Sequence, residues 1–252
     1  MTLDQSISMR LNKYLASCGV ASRRKCEDII RSGTVLVNGE IEVNPFRLLL
    51  PEDSILLDDQ EMFSLVDTEV IVLNKPDGYI TTTNDPQGRN TVMDLVKSPN
   101  RLFPVGRLDK DTTGVLLLTN DGNLAYQLTH PKYQVEKVYR VQIMGFLSNN
   151  DIEQIKSGVM IGSDETGQGE VLSQNKVSKS VTEIELVLTQ GKKREVRRIF
   201  SSLGYKVIAL QRISFGSITT DGLNLGHWRR LSEEEALSLR REKVVTGTVD
   251  LR

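Results

Sequence analysis

The sequence has little of what marks a secreted, membrane-spanning or zinc-binding protein. It contains two cysteines, Cys18 and Cys26, and no pair of histidines stands near them, so their spacing is not that of a zinc site. A reduced, buried cysteine pair in a cytosolic protein is the simpler interpretation. The stretch MTLDQSISMR (1–10) lacks the apolar core of a secretion signal, and no run of about 18 apolar residues occurs. We therefore expect a cytoplasmic protein that does not span a membrane.

The chain also lacks a large excess of either charge. Its 32 lysines and arginines against 33 aspartates and glutamates give a formal net charge of -1. This balance is not that of a strongly basic nucleic-acid binder. If RNA is the partner, local basic patches must attract it.

The first sixty residues are predicted to form a compact domain, assigned to 1–60 and followed by a linker at 61–68. Ser22 can cap a helix, and the Asn38-Gly39 dipeptide is a strong signal for a hairpin turn. Apolar spacing and turn residues predict a helix over 9–18, a helix over 23–31, and strands at 35–37, 41–43 and 55–57.

Residues 69–252 mix strands and helices without a regular alternation. Ser232 and Glu235 have the spacing of a capping box at the start of a last helix. The irregular order favours an α+β fold around a mixed, largely antiparallel sheet. The predicted strands lie at 70–74, 114–119, 137–144, 183–188 and 206–214, and the other predicted helices at 92–97, 121–130, 151–157 and 194–203.

A basic face is concentrated on the two N-terminal helices. Such a face is either a solvated helix surface or a site for backbone phosphates. The order of the motifs RLNKYLASCGVASRR (10–24) and IRSGTVLVNG (30–39) resembles the S4-type α/β RNA-binding module. That resemblance implies that five residues face structured RNA: Arg10, Lys13, Arg23, Arg24 and Lys25.

A second basic cluster is GKKREVRR (191–198), which covers a loop and the first turns of a helix. Positive side chains there oppose the helix dipole, so the cluster indicates an anionic partner unless acidic neighbours neutralise it. The predicted RNA-binding residues of this cluster are Lys192, Lys193, Arg194 and Arg198.

Three stretches carry the chemistry: LNKPDGYITT (73–82), GRLDKDTTGVLLLTNDG (106–122) and TQGKKREVRRIFSSLGYKV (189–207). Taken singly, each could be structural, and Asp109 or Asp111 could be a turn residue beside Gly114. Together and in this order, with KVYRV (137–141) between them, they resemble the RsuA family of pseudouridine synthases, which modify ribosomal RNA. The signature around Asp109 is highly specific.

The resemblance implies a role for each matched residue. Asp109 is the catalytic carboxylate, and Arg107 helps to evict the target base from its stack. Tyr139 packs on the uracil ring, and Arg197 pairs with Asp109 and keeps it charged and oriented. Leu210 or Ile213 lines the apolar wall of the pocket. The reaction rearranges one nucleotide without gain or loss of atoms, so neither a cofactor nor a metal is expected.

The implied partner is ribosomal RNA, and the motifs look closer to the RluB-like large-subunit branch than to the small-subunit branch. We expect a monomer. Three alternatives stay open: a synthase acting on 16S or transfer RNA, a non-catalytic RNA-binding assembly factor, and a phosphate-handling enzyme. The last is disfavoured because no Walker-type turn occurs.

Overall fold

A computed structural model describes residues 9–63 and 68–241. The chain divides into an N-terminal unit, Met1–Thr68, and a C-terminal unit, Glu69–Arg252. In the described ranges, every helix is too short or too polar to cross a lipid bilayer.

The N-terminal unit packs two helices against two small antiparallel sheets. One sheet pairs β1 with β4, and the other has the strand order β3-β2-β5-β6. The helices are α1 (Leu11–Ser17) and α2 (Arg23–Arg31). The strands are β1 (Met9–Arg10), β2 (Val35–Val37), β3 (Glu40–Ile41), β4 (Leu48–Leu49), β5 (Ile55–Leu57) and β6 (Gln60–Glu61).

Local sequence explains most of this unit. The Ser22 hydroxyl accepts a hydrogen bond from the Lys25 amide (3.3 Å) and so caps α2. The predicted first helix begins later than expected, because Met9 pairs with Leu49 in a strand. Neither cysteine forms a disulfide bond within the described residues. Cys18 is only partly buried, so the prediction of a buried pair holds for one member.

The C-terminal unit contains four helices and eleven strands in the part that the structure describes. The helices are α3 (Gly122–Thr129), α4 (Asn149–Ser157), α5 (Glu195–Ser202) and α6 (Glu233–Arg241). The strands are β7 (Val70–Lys75), β8 (Phe103–Pro104), β9 (Thr113–Thr119), β10 (Lys137–Met144), β11 (Val159–Met160), β12 (Thr166–Gly167), β13 (Glu170–Lys176), β14 (Val181–Leu188), β15 (Val207–Phe215), β16 (Ile218–Thr219) and β17 (Trp228–Arg230).

One mixed sheet organises the C-terminal unit, with the order β13-β14-β10-β15-β9-β7-β17 and with β16 and β8 paired to β15 and β9. Among its described strands, β15 and β9 form the parallel pair, and the other neighbours are antiparallel. The prediction of a mixed, largely antiparallel sheet is confirmed. The central strands β10, β15, β9 and β7 pair through one parallel and two antiparallel contacts. Residues of β10 and β15 line the pocket described below.

Helices cover both faces of this sheet. Leu124 and Leu128 of α3 and Leu239 of α6 pack in one apolar core, whereas Ile155 of α4 and Phe200 of α5 pack in the other. Alternate residues of β10 are buried, which is the pattern of a strand with one face toward a core.

Several short or polar elements escape the sequence patterns. The helix expected over 92–97 is a single 3-10 turn, Val92–Asp94, closed by a capping box from Thr91. β13 is a polar edge strand whose side chains are mostly exposed, so it lacks the alternation that marks a strand. The expected linker begins inside β6, and residues 64–67 lie outside the described ranges.

Candidate active site

A cavity of about 500 Å³ opens in the C-terminal unit where the loop before β9, strands β10 and β15, and the loop before α5 meet. This volume is in the range of small-molecule and nucleotide pockets. The sequence-predicted residues that line it are Arg107, Asp109, Tyr139, Lys192, Lys193, Arg194 and Leu210.

Asp109 sits on a tight loop that a buried lysine holds from below. Lys75, at the end of β7, is fully buried. Its ammonium group donates to the carbonyl oxygens of Lys110 (3.2 Å), Thr112 (2.8 Å) and Pro76 (3.0 Å). The carbonyls of Lys110 and Thr112 directly follow Asp109 in the chain, so Lys75 fixes the loop that presents the carboxylate. Burial lowers the pKa of Lys75 to about 8, and the nearby Asp77, Asp111 and Asp109 oppose that shift.

A threonine holds the loop on its other side. The buried Thr81 hydroxyl donates to the Leu108 carbonyl (2.7 Å) and accepts from the Leu108 amide (3.2 Å). The Thr112 amide then donates to the Asp109 carbonyl (3.1 Å), which closes the turn. Thr81 and Lys75 both belong to the motif at 73–82, and that motif therefore supports the catalytic loop.

Tyr139 and Leu210 reach the cavity from neighbouring strands. Tyr139 of β10 lies opposite Arg212 of β15, and Leu210 lies opposite Val141, so all four side chains share one face of the sheet. Tyr139 is 8% exposed and Leu210 is 6% exposed. Together they give the cavity an aromatic and apolar wall beside Asp109.

Ile213 does not line this cavity, contrary to the alternative assignment made from the sequence. The register between β10 and β15 shifts at this point: Tyr139 pairs with Arg212 and Val138 with Ser214, so Ile213 has no partner on β10. Such a bulge interrupts the regular alternation of side chains. Arg212 takes the pocket position instead.

The predicted pairing of Arg197 with Asp109 is wrong in this structure. Arg197 Nη2 instead contacts the Asp111 carboxylate (3.0 Å) and donates to the Asp111 carbonyl (2.8 Å). The guanidinium near Asp109 is that of Arg194, at 3.9 Å, and it also lies 3.5 Å from Asp111. Arg194 precedes α5 in a left-handed conformation with φ of 52°, and this turn brings its side chain between the two carboxylates.

The second basic cluster divides into two groups. Lys193 and Arg194 are exposed at the pocket. Arg198, which the sequence predicted to bind RNA, instead donates from Nε to the Ile161 carbonyl (2.8 Å) and pairs with Glu165. Acidic neighbours therefore neutralise the part of the cluster that lies farther along α5, whereas its beginning faces the cavity.

Two buried basic side chains line the pocket and were not predicted from the sequence. Lys137 is 7% exposed and Arg212 is 2% exposed, and both line the cavity with the buried Glu195. Burial lowers the pKa of Lys137 to about 8, which nearby Arg212 reinforces and Glu195 opposes. Arg212 donates to the Val115 carbonyl (2.7 Å) and stacks on Phe215, 4.8 Å from the ring centroid. The motif KVYRV was a signal for Lys137, but no pattern marks a buried arginine.

The basic face predicted on the N-terminal unit is solvent-accessible. Arg10 is exposed, as are the three basic residues at 23–25, while Lys13 is partly buried. Of the two acidic side chains of α2, Asp28 is exposed, whereas Glu27 accepts a hydrogen bond from Asn12 (2.9 Å) and lies 3.6 Å from Arg31. The Glu27 carboxylate therefore interacts with Asn12 and Arg31 and not with the basic residues at 23–25, in the first turn of α2.

Comparisons with known proteins agree with this architecture. A family model for RNA pseudouridylate synthases matches residues 69–202, and a model for the S4 domain matches residues 9–55. The chain is 36% identical over 234 residues to "Ribosomal large subunit pseudouridine synthase B" of Bacillus subtilis (strain 168), covering 92% of this chain and 95% of that protein.

Two further similarities come from an enzyme sequence and a solved structure. "Dual-specificity RNA pseudouridine synthase RluF" of Escherichia coli (strain K12) is 34% identical over 235 residues, covering 92% of this chain and 78% of that protein. The crystal structure of a pseudouridylate synthase has a TM-score of 0.65 and 28% identity, covering 92% of this chain and 100% of that one. The resemblance seen in the sequence motifs is confirmed, and the chain belongs to the RNA pseudouridylate synthase family, with an S4 domain in its N-terminal unit.

Proposed function

We propose that this enzyme converts a specific uridine of large-subunit ribosomal RNA to pseudouridine, with Asp109 as its catalytic carboxylate. The observation that carries the proposal is that Arg107 and Asp109 of the loop before β9 line one cavity with Tyr139 of β10, which lies about 30 residues further along the chain. The large-subunit substrate is supported by the printed name of the Bacillus subtilis relative, which is similar over almost its whole length.

The reaction follows from what these side chains can do. The N1–C1′ bond of the uridine breaks, the uracil turns, and C5 bonds to C1′ while the proton on C5 is lost and N1 gains one. Asp109 can form a bond to the nucleotide or take a proton from the ribose, since a carboxylate serves either purpose. Tyr139 stacks on the uracil and lies near C5, and Leu210 closes the apolar side of the pocket.

The target base must leave its helix to reach this cavity, at a cost of about a few kcal/mol. Arg107 is exposed at the edge of the cavity, two residues before Asp109. In our proposal it fills the space that the base leaves in the stack. Lys192, Lys193 and Arg194 bring phosphates to the same opening, and Arg194 takes the orienting role that the family resemblance implies for Arg197.

Mapping the product tests the proposal directly. The pure protein would be incubated with unmodified large-subunit and small-subunit ribosomal RNA transcripts, and pseudouridine would be located by chemical modification and primer extension. We expect modification in the large-subunit RNA. Modification confined to the small-subunit RNA would correct the substrate, and no pseudouridine in either RNA would overturn the proposal.

We propose that the S4 domain binds the phosphate backbone of the RNA. Such contacts release counterions, so RNA affinity should fall as the salt concentration rises. We expect Arg24→Gln to weaken binding to RNAs of different sequence by a similar factor. The slope of the log association constant against the log salt concentration should decrease in magnitude by about 1. The control is Arg47→Gln, because Arg47 already pairs with Glu42 at 3.0 Å. Equal slopes for Arg24→Gln and wild type would exclude a phosphate contact at this residue.

Lys75→Met tests the support of the catalytic loop. Three carbonyl oxygens would lose one donor, although that of Lys110 keeps the Gly78 amide at 3.0 Å. Each buried group left unsatisfied costs about 1–3 kcal/mol. We expect a lower melting temperature and a turnover rate reduced by about tenfold, since Asp109 would no longer be held in one position. Lys110→Met is the control, because that side chain is exposed on the same loop. A wild-type rate for Lys75→Met would show that the loop needs no such support.

A further inference from the structure

A cluster of aromatic side chains lies on the surface beside the cavity. Tyr126 of α3 and His130, the residue after that helix, have ring centroids 4.8 Å apart, and Tyr133 meets both rings edge-on, at 6.1 and 6.3 Å. The Lys132 ammonium lies 4.7 Å from the Tyr133 centroid and 5.7 Å from that of Tyr126. We call these four residues the aromatic patch.

The aromatic patch continues the rim of the cavity. Tyr126 and Thr129 are three positions apart on α3 and therefore share one face of the helix, and His130 follows Thr129 directly. Thr129 lines the cavity, and its methyl group lies against Gly106, where an added Cβ would be 3.4 Å away. Gly106 precedes Arg107, so the aromatic patch starts one helical turn from the proposed base-evicting residue.

The aromatic patch is exposed in a way that a packing role does not require. Tyr126 is 49% exposed, although the opposite face of α3 already anchors the helix through Leu124 and Leu128. Residues 122–135 contain no aspartate or glutamate, with Asp121 and Glu136 just outside this range, and Lys132 places its positive charge over the rings of Tyr126 and Tyr133. Exposed rings beside a cation stack on nucleic-acid bases while the cation meets a phosphate.

We propose that the aromatic patch stacks on an RNA base next to the target uridine and holds the strand while that uridine enters the cavity. This inference rests on the proposed function, because it assigns the partner of the surface that borders the same site. RNA is favoured over a protein partner because the aromatic patch is continuous with the cavity and carries positive charge.

Tyr126→Ala tests the stacking contact, with Phe146→Ala as a matched control. Phe146 is also exposed, at 48%, and also has a lysine over its ring, Lys176 at 5.4 Å. Phe146 lies just after the last residue of β10, whereas Lys137, which lines the cavity, is the first residue of that strand. We expect Tyr126→Ala to raise the Kd for the large-subunit RNA transcript about tenfold, or about 1.4 kcal/mol, because one base–aromatic stack is lost. Tyr126→Phe and Phe146→Ala should bind like wild type.

A second measurement identifies the base. Stem-loops that contain the mapped target uridine would be made with single abasic nucleotides on either side of it. At one position the abasic nucleotide should weaken RNA binding by the wild type but not by Tyr126→Ala, because the variant has already lost the stack. A Kd for Tyr126→Ala within twofold of wild type, an equal loss for Phe146→Ala, or no position with this coupling would each overturn the inference.

The two proposals can fail separately. The Kd measurements on the transcript do not depend on turnover, so they test the aromatic patch even if the enzyme is inactive on that RNA. A wild-type protein that forms no pseudouridine refutes the proposed function. An active wild type with unchanged binding by Tyr126→Ala refutes only the role of the aromatic patch.

Discussion

Asp109→Asn is expected to abolish pseudouridine formation while RNA affinity stays near that of the wild type. Asparagine has nearly the same shape, so the loop held by Lys75 and Thr81 should persist. The amide can neither form the covalent bond nor take the proton that the reaction requires. We expect the single-turnover rate to fall by at least about four orders of magnitude, as when other enzymes lose an essential nucleophile. Tritium release from RNA labelled at uridine C5 measures this rate.

Asp111→Asn is the matched control for that experiment. Asp111 lies on the same loop and is more exposed, with 49% of its side chain accessible against 30% for Asp109. It holds Arg194 and Arg197 and does not line the cavity. Because partly exposed ion pairs contribute little, we expect its rate to fall by less than about tenfold. Comparable rates for the two variants, or a near-normal rate for Asp109→Asn, would remove Asp109 from its catalytic role.

The sequence predicts the frame of the site better than its ion pairs. Ser22, Ser148 and Ser232 cap helices by short-range contacts that depend on neighbouring residues alone, and such local patterns can be read from the chain. The assignment of Arg197 to Asp109 fails because it requires a tertiary detail, the left-handed turn at Arg194. A motif states which charged residues meet at a site, but not which guanidinium faces which carboxylate.

Buried cations are the other feature that the sequence could not supply. Lys75 interacts with backbone carbonyls of a loop about 35 residues away, and every residue has such a carbonyl, so no residue type marks the partner. Arg212 occupies the position expected for an apolar wall because a bulge at Ile213 changes the register of β15. Both cases depend on where the backbone passes, which the apolar pattern does not record.

Gly114→Ala is expected to have the largest effect on stability. Gly114 is the second residue of β9, directly after the Asp109 loop, with φ of +99°. A Cβ there would lie 2.1 Å from the Arg212 carbonyl oxygen. That oxygen belongs to the backbone of β15 and cannot rotate away, so the parallel pairing of β9 with β15 must open. With backbone strain of about 1–3 kcal/mol added to this clash, we expect the melting temperature to fall by about 10 °C or more.

A displacement of β9 would also disrupt the cavity. Gly114 joins the Asp109 loop to β9, and β9 pairs with β15, which contributes Leu210 and Arg212 to the cavity. We therefore expect activity to be lost together with stability, whereas Asp109→Asn loses activity alone. Gly122→Ala is the control: Gly122 starts α3, no atom lies within 4 Å of its added Cβ, and it has no positive φ. That variant should melt at or slightly above the wild-type temperature. Similar melting of Gly114→Ala and Gly122→Ala in a thermal scan would mean that β9 and β15 are not packed as closely as the structure has them.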